Sequence, residues 1–441
     1  MKRKITALIL TLAMLLSLCA CTASAETTHI TFWHSMSDNA GVLMEKYVAE
    51  FNATVGKEKG IEVELVFQGT YADATTKMNS MLNTKQTHSL PDVMQLDATG
   101  KVSYYASSVA YTIDQAKADD AAFETGVSTL LDAAMGNWNF SGSQLGLPFA
   151  TSTTVLFYNK TLLDNANMTA PETFRDIISV AAALPKTTEA GAELVPYAAI
   201  PNTPTLANWL GQLSSFVVNQ KNGSEASATE LACIENGALA TFLTEWKAMY
   251  DAGALKNTAA SSDAFVTGQL ALYTSSSSNV TSLMNKINGG FEMGVAFYPK
   301  VNEDASFGAT VSGSCLVMFD KQDNAKKAAA RELLLYLTSA PVQADFAVGT
   351  GYIPANENAV NEEVYQQLLQ EYPQYKVGVE QLAVTPADMR SVTVGPSTDF
   401  YYAIQNCVSD MLEYGDNVET TVDIMADELG GLLYQYAQAN Q

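Results

Sequence analysis

Side chains that carry covalent or metal chemistry are sparse in this sequence. None of its three histidines, His29, His34 and His88, sits beside a cysteine, no C-x-x-C pair occurs, and G-x-S-x-G elbows, H-E-x-x-H helices and P-loops are absent. No metal and no cofactor are therefore expected. The 47 acidic residues could still hold a carboxylate pair flanking a glycosidic bond, so a secreted glycoside hydrolase stands as the alternative from another class. What does cluster is recognition chemistry. Trp33-His34-Ser35, Gly69-Thr70-Tyr71 and Asp97-Ala98-Thr99 each bring aromatic or polar groups into a short run.

Hydrophobic periodicity predicts the elements that must present these runs. His29 to Trp33 has the pattern of a strand, Gly41 to Phe51 that of a helix with Leu43, Tyr47, Val48 and Phe51 on one face, and Ile61 to Phe67 alternates with period two. A polar helix from about Ala72 to Asn83 leads to the apolar strand Pro91 to Leu96. This β-α-β-α-β order predicts a parallel sheet with covering helices, where ligands meet the loops at the carboxyl ends of the strands. The three runs occupy those loops, so Trp33, His34, Tyr71 and Asp97 are candidate ligand residues, unless the aromatics merely cover strand ends. For His34 the other reading is a structural hydrogen bond to backbone. Later strands are predicted at Thr154 to Asn159, Met293 to Phe297 and Cys315 to Phe319. Helices are predicted from about Glu172 to Asp251, from Asn324 to Leu337 and through the C-terminal hundred residues. Two α/β lobes that share the chain discontinuously fit this order.

Twenty-four Lys and Arg against 47 Asp and Glu leave a net charge of −23 over 441 residues, the opposite of a nucleic-acid footprint. Lys2, Arg3 and Lys4 precede an apolar run from Ile5 to Leu18, too short to span a bilayer, in the pattern of a signal peptide. Leu18-Cys19-Ala20-Cys21 resembles a bacterial lipobox. That makes Cys21 the expected lipidation site, residues 1–20 the cleaved peptide and 21–28 a tether to the outer face of the cytoplasmic membrane. Plain secretion with cleavage near Ala23-Ser24-Ala25 is the alternative. Cys233, Cys315 and Cys407 are far apart and odd in number, so no disulfide framework follows.

Six motifs then resemble, in order, the extracellular solute-binding proteins of bacterial ABC importers that handle sugars and glycerol phosphates. They are Ile30 to Met36, Leu90-Pro91-Asp92-Val93, Gly146 to Phe149 leading into Val155 to Lys160, Phe265 to Leu272, Val311-Ser312-Gly313-Ser314 and Thr350-Gly351-Tyr352-Ile353-Pro354. The resemblance covers nearly all of the mature chain. It implies a two-lobed, type II periplasmic-binding-protein fold like that of maltose-binding protein, closing on one solute like a Venus flytrap about a hinge. It further implies a monomeric, non-catalytic protein that works with ABC permease subunits. The expected lobes are 29–149 with 303–350, and 150–302 with 351–441.

Within the family, Phe32-Trp33-His34-Ser35-Met36 looks most like the glycerol-3-phosphate-binding type, which implies ligand positions at Tyr71, Ser152, Ser276, Gly313 and Tyr352. Two charged partners of that type are missing: Ala98, beside Asp97, stands where a glutamate is expected, and Tyr401 stands where an arginine is. Val394 to Leu412 contains no Arg or Lys, and Arg390 just before it is either a compensating cation or a solvated loop charge. A neutral sugar, oligosaccharide or polyol is thus the expected solute, and glycerol 3-phosphate or a glycerophosphodiester the alternative. Carboxylates hydrogen-bond hydroxyls and ring faces cover C–H surfaces; Asp97, Asp399, Tyr71, Trp209, Tyr352 and Tyr401 supply both. Trp209, near the start of a second-lobe helix, is either such a platform or a core residue.

Overall fold

The structure, a computed structural model, describes residues 27–386 and 388–439. The signal peptide and Cys21 lie outside these residues. The strands that carry the fold are β1 (Thr28–His34), β2 (Ile61–Phe67), β3 (Val93–Leu96), β4 (Leu147–Asn159), β5 (Val195–Ala199), β6 (Leu255–Asn257), β7 (Leu270–Ser276), β8 (Met293–Ala296) and β9 (Val311–Phe319).

The first lobe follows its periodicity. β1 lies between β2 and β3 and is parallel to both. β2 is an edge strand with Ile61 and Val63 buried and Glu62 and Glu64 in solvent, whereas the internal β3 is buried throughout. Helix Asp38–Ala53 buries Met44, Tyr47, Val48 and Phe51; Leu43, expected on that face, is half-buried. Tyr47 and Phe51 join Phe32, Val93, Leu316 and Leu333 in one core, each large apolar side chain contributing about 1.5–3 kcal/mol.

Two strands run through both lobes. β4 has 13 residues: Leu147 to Thr153 pair antiparallel with β9, and Thr154 to Tyr158 with β7. The strand expected at 154–159 is only its second half. Where β4 and β9 pass between lobes their register slips between Ser312 and Ser314, with Gly313 at φ 111° and Ala150 at φ 53°. A Cβ on Gly313 would stand 1.9 Å from the Ala150 carbonyl oxygen, so this crossing requires glycine. A third segment crosses beside them, the Ile353 N–H donating to the Thr151 carbonyl at 2.7 Å.

The second lobe's core is aromatic. Trp209 stacks on both Phe242 and Tyr298 at 5.3 Å, with Phe174 and Trp246 edge-on or tilted beside it. Helices Ser397–Tyr414 and Val418–Ala439 add Phe400, Ile404, Met411 and Met425 to this core. Its sheet contains β5, in a region expected to be helical: Val195-Pro196-Tyr197-Ala198-Ala199 has few strand formers, yet lies between β7 and β6. Ala305 and Ala309 pack in this second core and Ala355 in the first.

Candidate functional site

A cavity of about 760 Å³ opens between the lobes. Its first-lobe wall is the loop after β3, Asp97 to Thr99, with Asn137 and Phe140; β9 contributes Ser312 and Gly313; the second-lobe wall is Thr203, the loop Ser391 to Gly395, and Ser397, Thr398, Tyr401 and Tyr402. No Lys or Arg lines it among the described residues.

Each side chain is positioned by its element. β3 ends at Asp97, whose Oδ1 accepts from the Thr99 hydroxyl at 2.6 Å, fixing the carboxylate toward the loop. Helix Ser397–Tyr414 begins at the cavity after Pro396 with no side-chain cap, so its first N–H groups face a site that can use them. One turn on, Tyr401 accepts from Asn202 Nδ2 at 3.3 Å and meets Tyr402 edge-on at 5.3 Å. The Thr203 hydroxyl, at the first position of helix Thr203–Gln212, is buried without a hydrogen-bond partner among the described residues.

Of the sequence candidates, Asp97, Gly313 and Tyr401 line this cavity. Tyr71 lies beside it through a relay: Gln95 Nε2 donates to Tyr71 Oη at 3.1 Å and to Ser314 Oγ at 2.8 Å, next to Gly313. Burial raises the Tyr71 pKa, and nearby Tyr352 raises it further. Tyr352 stacks on Phe346 at 5.5 Å and borders a small void with Ser277 and Ile353. Ser276 Oγ lies 2.9 Å from Ser278 Oγ, within the serine turn after β7. Ser152 is buried in β4 opposite Ser312.

Three candidates are core residues. Trp209 is 1% exposed, inside the aromatic cluster, so of its two readings packing is the one the structure adopts. Trp33 packs among Met78, Met94 and Tyr104, with Lys77 Nζ 4.2 Å from its ring centre. His34 is buried against Phe32 and Phe67, and its Nδ1 has no hydrogen-bond partner among the described residues, so the backbone bond expected there is not made through that atom with any of them. Burial lowers its pKa from 6.5 to about 4.

Sequence reasoning missed Asn137, Phe140, Thr203 and the stretch from Ser391 to Thr398. Gly395-Pro396-Ser397, a helix-start pattern, was the available signal for the last. Arg390 is not the solvated charge of one reading: it is half-buried, and its Nη1 donates to the Gly136 carbonyl at 3.2 Å. The neighbouring carbonyl of Asn137 accepts from Lys101 Nζ at 2.8 Å. Lys101 is 3% exposed, and burial, with the Arg390 charge, lowers its pKa to about 8. No group of three or more His, Cys, Asp or Glu residues that could hold a metal occurs among the described residues.

A left-handed turn borders the cavity on the second lobe. Gln220, Lys221 and Asn222 have φ of 55°, 50° and 59°, followed by Gly223 at 73°. Each non-glycine residue there costs roughly 1–2 kcal/mol. Asn222 holds the turn: its Oδ1 accepts from Val217 N at 2.7 Å and Val218 N at 3.2 Å, and its Nδ2 donates to the Arg390 carbonyl at 2.8 Å.

The family model described as bacterial extracellular solute-binding protein matches residues 46–376. The sn-glycerol-3-phosphate-binding periplasmic protein UgpB of Yersinia pestis bv. Antiqua is 23% identical over 377 residues, 81% of each chain. Among solved structures, UgpB from Mycobacterium tuberculosis in complex with glycerophosphocholine superposes with a TM-score of 0.73 at 18% identity, over 92% of this chain and 99% of that one. The cyclic alpha-maltosyl-1,6-maltose binding protein of Arthrobacter globiformis gives 0.73 at 16% identity, with the same coverages of 92% and 99%.

Proposed function

The chain belongs to the bacterial extracellular solute-binding proteins, and on that premise we propose that it is the substrate-binding component of an ABC importer. It captures a sugar, oligosaccharide or polyol between its lobes and delivers it to the permease subunits. The family is one of extracytoplasmic binding proteins. Anchoring at the outer face of the membrane through a lipid on Cys21 is part of the proposal, as is a monomeric body. The expected division into 29–149 with 303–350 and 150–302 with 351–441 is part of the proposal, its later two boundaries moved to near Val311 and after Tyr365, a shift supported by the cores in which Ala305, Ala309, Ala355 and Tyr365 pack.

The observation that carries this reading is the cavity wall: among the described residues it holds hydroxyls, one carboxylate and aromatic rings from both lobes, with no cationic side chain. A neutral polyhydroxylated solute needs acceptors, donors and ring faces rather than counter-charge. Contacts from both walls exist together only when the lobes approach, so binding shifts the open–closed balance. A phosphorylated solute is the second reading. It is favoured by the uncapped helix start at Ser397, which can receive anionic oxygens, and by the ligand names of two similar proteins.

A thermal-shift panel separates them, using malto-, xylo- and galacto-oligosaccharides against glycerol 3-phosphate and glycerophosphocholine. A solute at 100 times its Kd adds about 2.7 kcal/mol of stability. Shifts confined to the phosphates would overturn the neutral-solute reading. Recovery of the bound sugar unchanged supports a binder, and its cleavage would support the hydrolase alternative. Incorporation of an alkyne fatty acid that is lost in Cys21→Ser tests the anchor.

A further inference from the structure

Three hydrogen bonds tie the first lobe to the second beside the cavity. Arg390 Nη1 donates to the Gly136 carbonyl at 3.2 Å, Ser391 Oγ lies 3.5 Å from Asn137 Oδ1 and equally far from the Val311 carbonyl, and the Ser141 N–H donates to the Ser224 carbonyl at 2.7 Å. The first-lobe partners lie in one short segment anchored by Trp138 and Phe140 in a first-lobe core, with Lys101 gripping the Asn137 carbonyl from behind. The second-lobe partners are braced by the left-handed turn. Asn222 bonds the Arg390 carbonyl and accepts from Thr393 N at 2.8 Å, and Gly223 lies so close to Thr393 that a Cβ would stand 2.0 Å from its carbonyl oxygen. Ser224, the next residue, supplies the third bond.

Backbone held in a costly conformation persists where surrounding contacts over-determine it, and here those contacts converge on the line where the lobes meet. Arg390 does not line the cavity. We propose that Arg390 is a positioning residue for capture: from the second lobe it latches the Gly136–Ser141 segment of the first, biasing the lobes toward approach and raising solute affinity without touching the solute. The three bonds break together when the lobes part, so the latch adds to the closed state alone. This rests on the capture role proposed above, but its test needs no solute, so the two can fail separately.

The test is amide hydrogen exchange followed by mass spectrometry on the solute-free protein, comparing wild type with Arg390→Ala, Arg390→Lys and Ser391→Ala. A hydrogen bond from a charged donor is worth about tenfold in an equilibrium. In Arg390→Ala, peptides covering residues 138–145 and 218–226, on opposite lobes, should exchange about tenfold faster together. The peptide covering β3 should keep its wild-type rate. Arg390→Lys should restore much of the protection, and Ser391→Ala should accelerate the same two peptides about threefold. Unchanged rates in both peptides overturn the latch, as does acceleration that extends equally to β3, which would mark general destabilisation. Should Arg390→Ala fail to fold, Ser391→Ala carries the same pair of outcomes.

Discussion

The first lobe meets the cavity with the ends of strands, the second with the starts of helices and the loop before one of them. Asp97 leaves a strand paired on both sides, so its backbone is fixed by a ladder and its carboxylate presents acceptors. Opposite, the uncapped start of helix Ser397–Tyr414 and the Thr203 hydroxyl, unpaired among the described residues, present donors. A solute hydroxyl donates once and accepts twice, so a wall of acceptors facing a wall of donors suits a polyol in a way that neither wall does alone. The lobes also differ underneath. The first wall stands on a mixed sheet, parallel from β2 through β1 to β3 and antiparallel at β9, and the second on a cluster of stacked aromatic rings.

The largest expected effect tests that footing. Trp209→Ala removes a side chain stacked on Phe242 and Tyr298 and should cost about 3–5 kcal/mol of unfolding free energy, read by urea denaturation. Helix Thr203–Gln212 carries Trp209, so solute binding should weaken as well. A loss of binding with stability unchanged would instead return Trp209 to the cavity as a ring platform.

The matching first-lobe probe is pH. Folded His34 stays neutral down to about pH 4, while in the unfolded chain it takes a proton near pH 6.5. Between those values the unfolded state binds more protons. The contribution is therefore fully present above pH 6.5 and is lost as pH falls through 4, about 3 kcal/mol in all. His34→Gln should flatten that part of the stability profile, and an unaltered slope would show that other groups carry it.

How much of this was legible in the sequence follows the same division. Strand alternation in Ile61 to Phe67 and the apolar run ending at Asp97 announce a parallel sheet, and the ligand-facing end of such a sheet is known from topology, so Asp97 could be found. β5 could not, because Pro196 and two alanines carry little strand preference and its place is set by pairing with β7 and β6. Phe140 and the Ser391 to Gly395 loop reach the cavity only through tertiary packing. Trp209 shows the converse: a Trp near the start of a helix beside the cavity looks the same in sequence whether it faces ligand or core, and only the rings around it decide.

Direct contacts come next in size. Asp97→Asn weakens the acceptor wall, and Tyr401→Phe removes the hydroxyl bonded by Asn202. Each should weaken the best sugar by about 1–2 kcal/mol, roughly 5- to 30-fold by calorimetry, with unfolding free energy changed by less than about 0.5 kcal/mol. Binding that is insensitive to Tyr401→Phe but lost in Asp97→Asn would make the first wall the dominant one.

The smallest effects are the most discriminating, because each lobe positions a tyrosine from a helix cap. Thr70 caps the helix that begins with Tyr71, and Asn202 caps helix Thr203–Gln212 while donating to Tyr401. Both caps are reciprocal boxes, and loss of either should cost about 1 kcal/mol of stability. Their effects on binding should differ. Thr70→Ala frays only the turn carrying Tyr71, whose hydroxyl is still held by Gln95, so affinity should fall by no more than about threefold. Asn202→Ala loosens the Thr203 donor and frees the Tyr401 hydroxyl together, so affinity should fall about tenfold. Equal losses from the two caps would mean that donors and acceptors are not divided between the lobes, and that the solute is held by the crossing strands around Gly313.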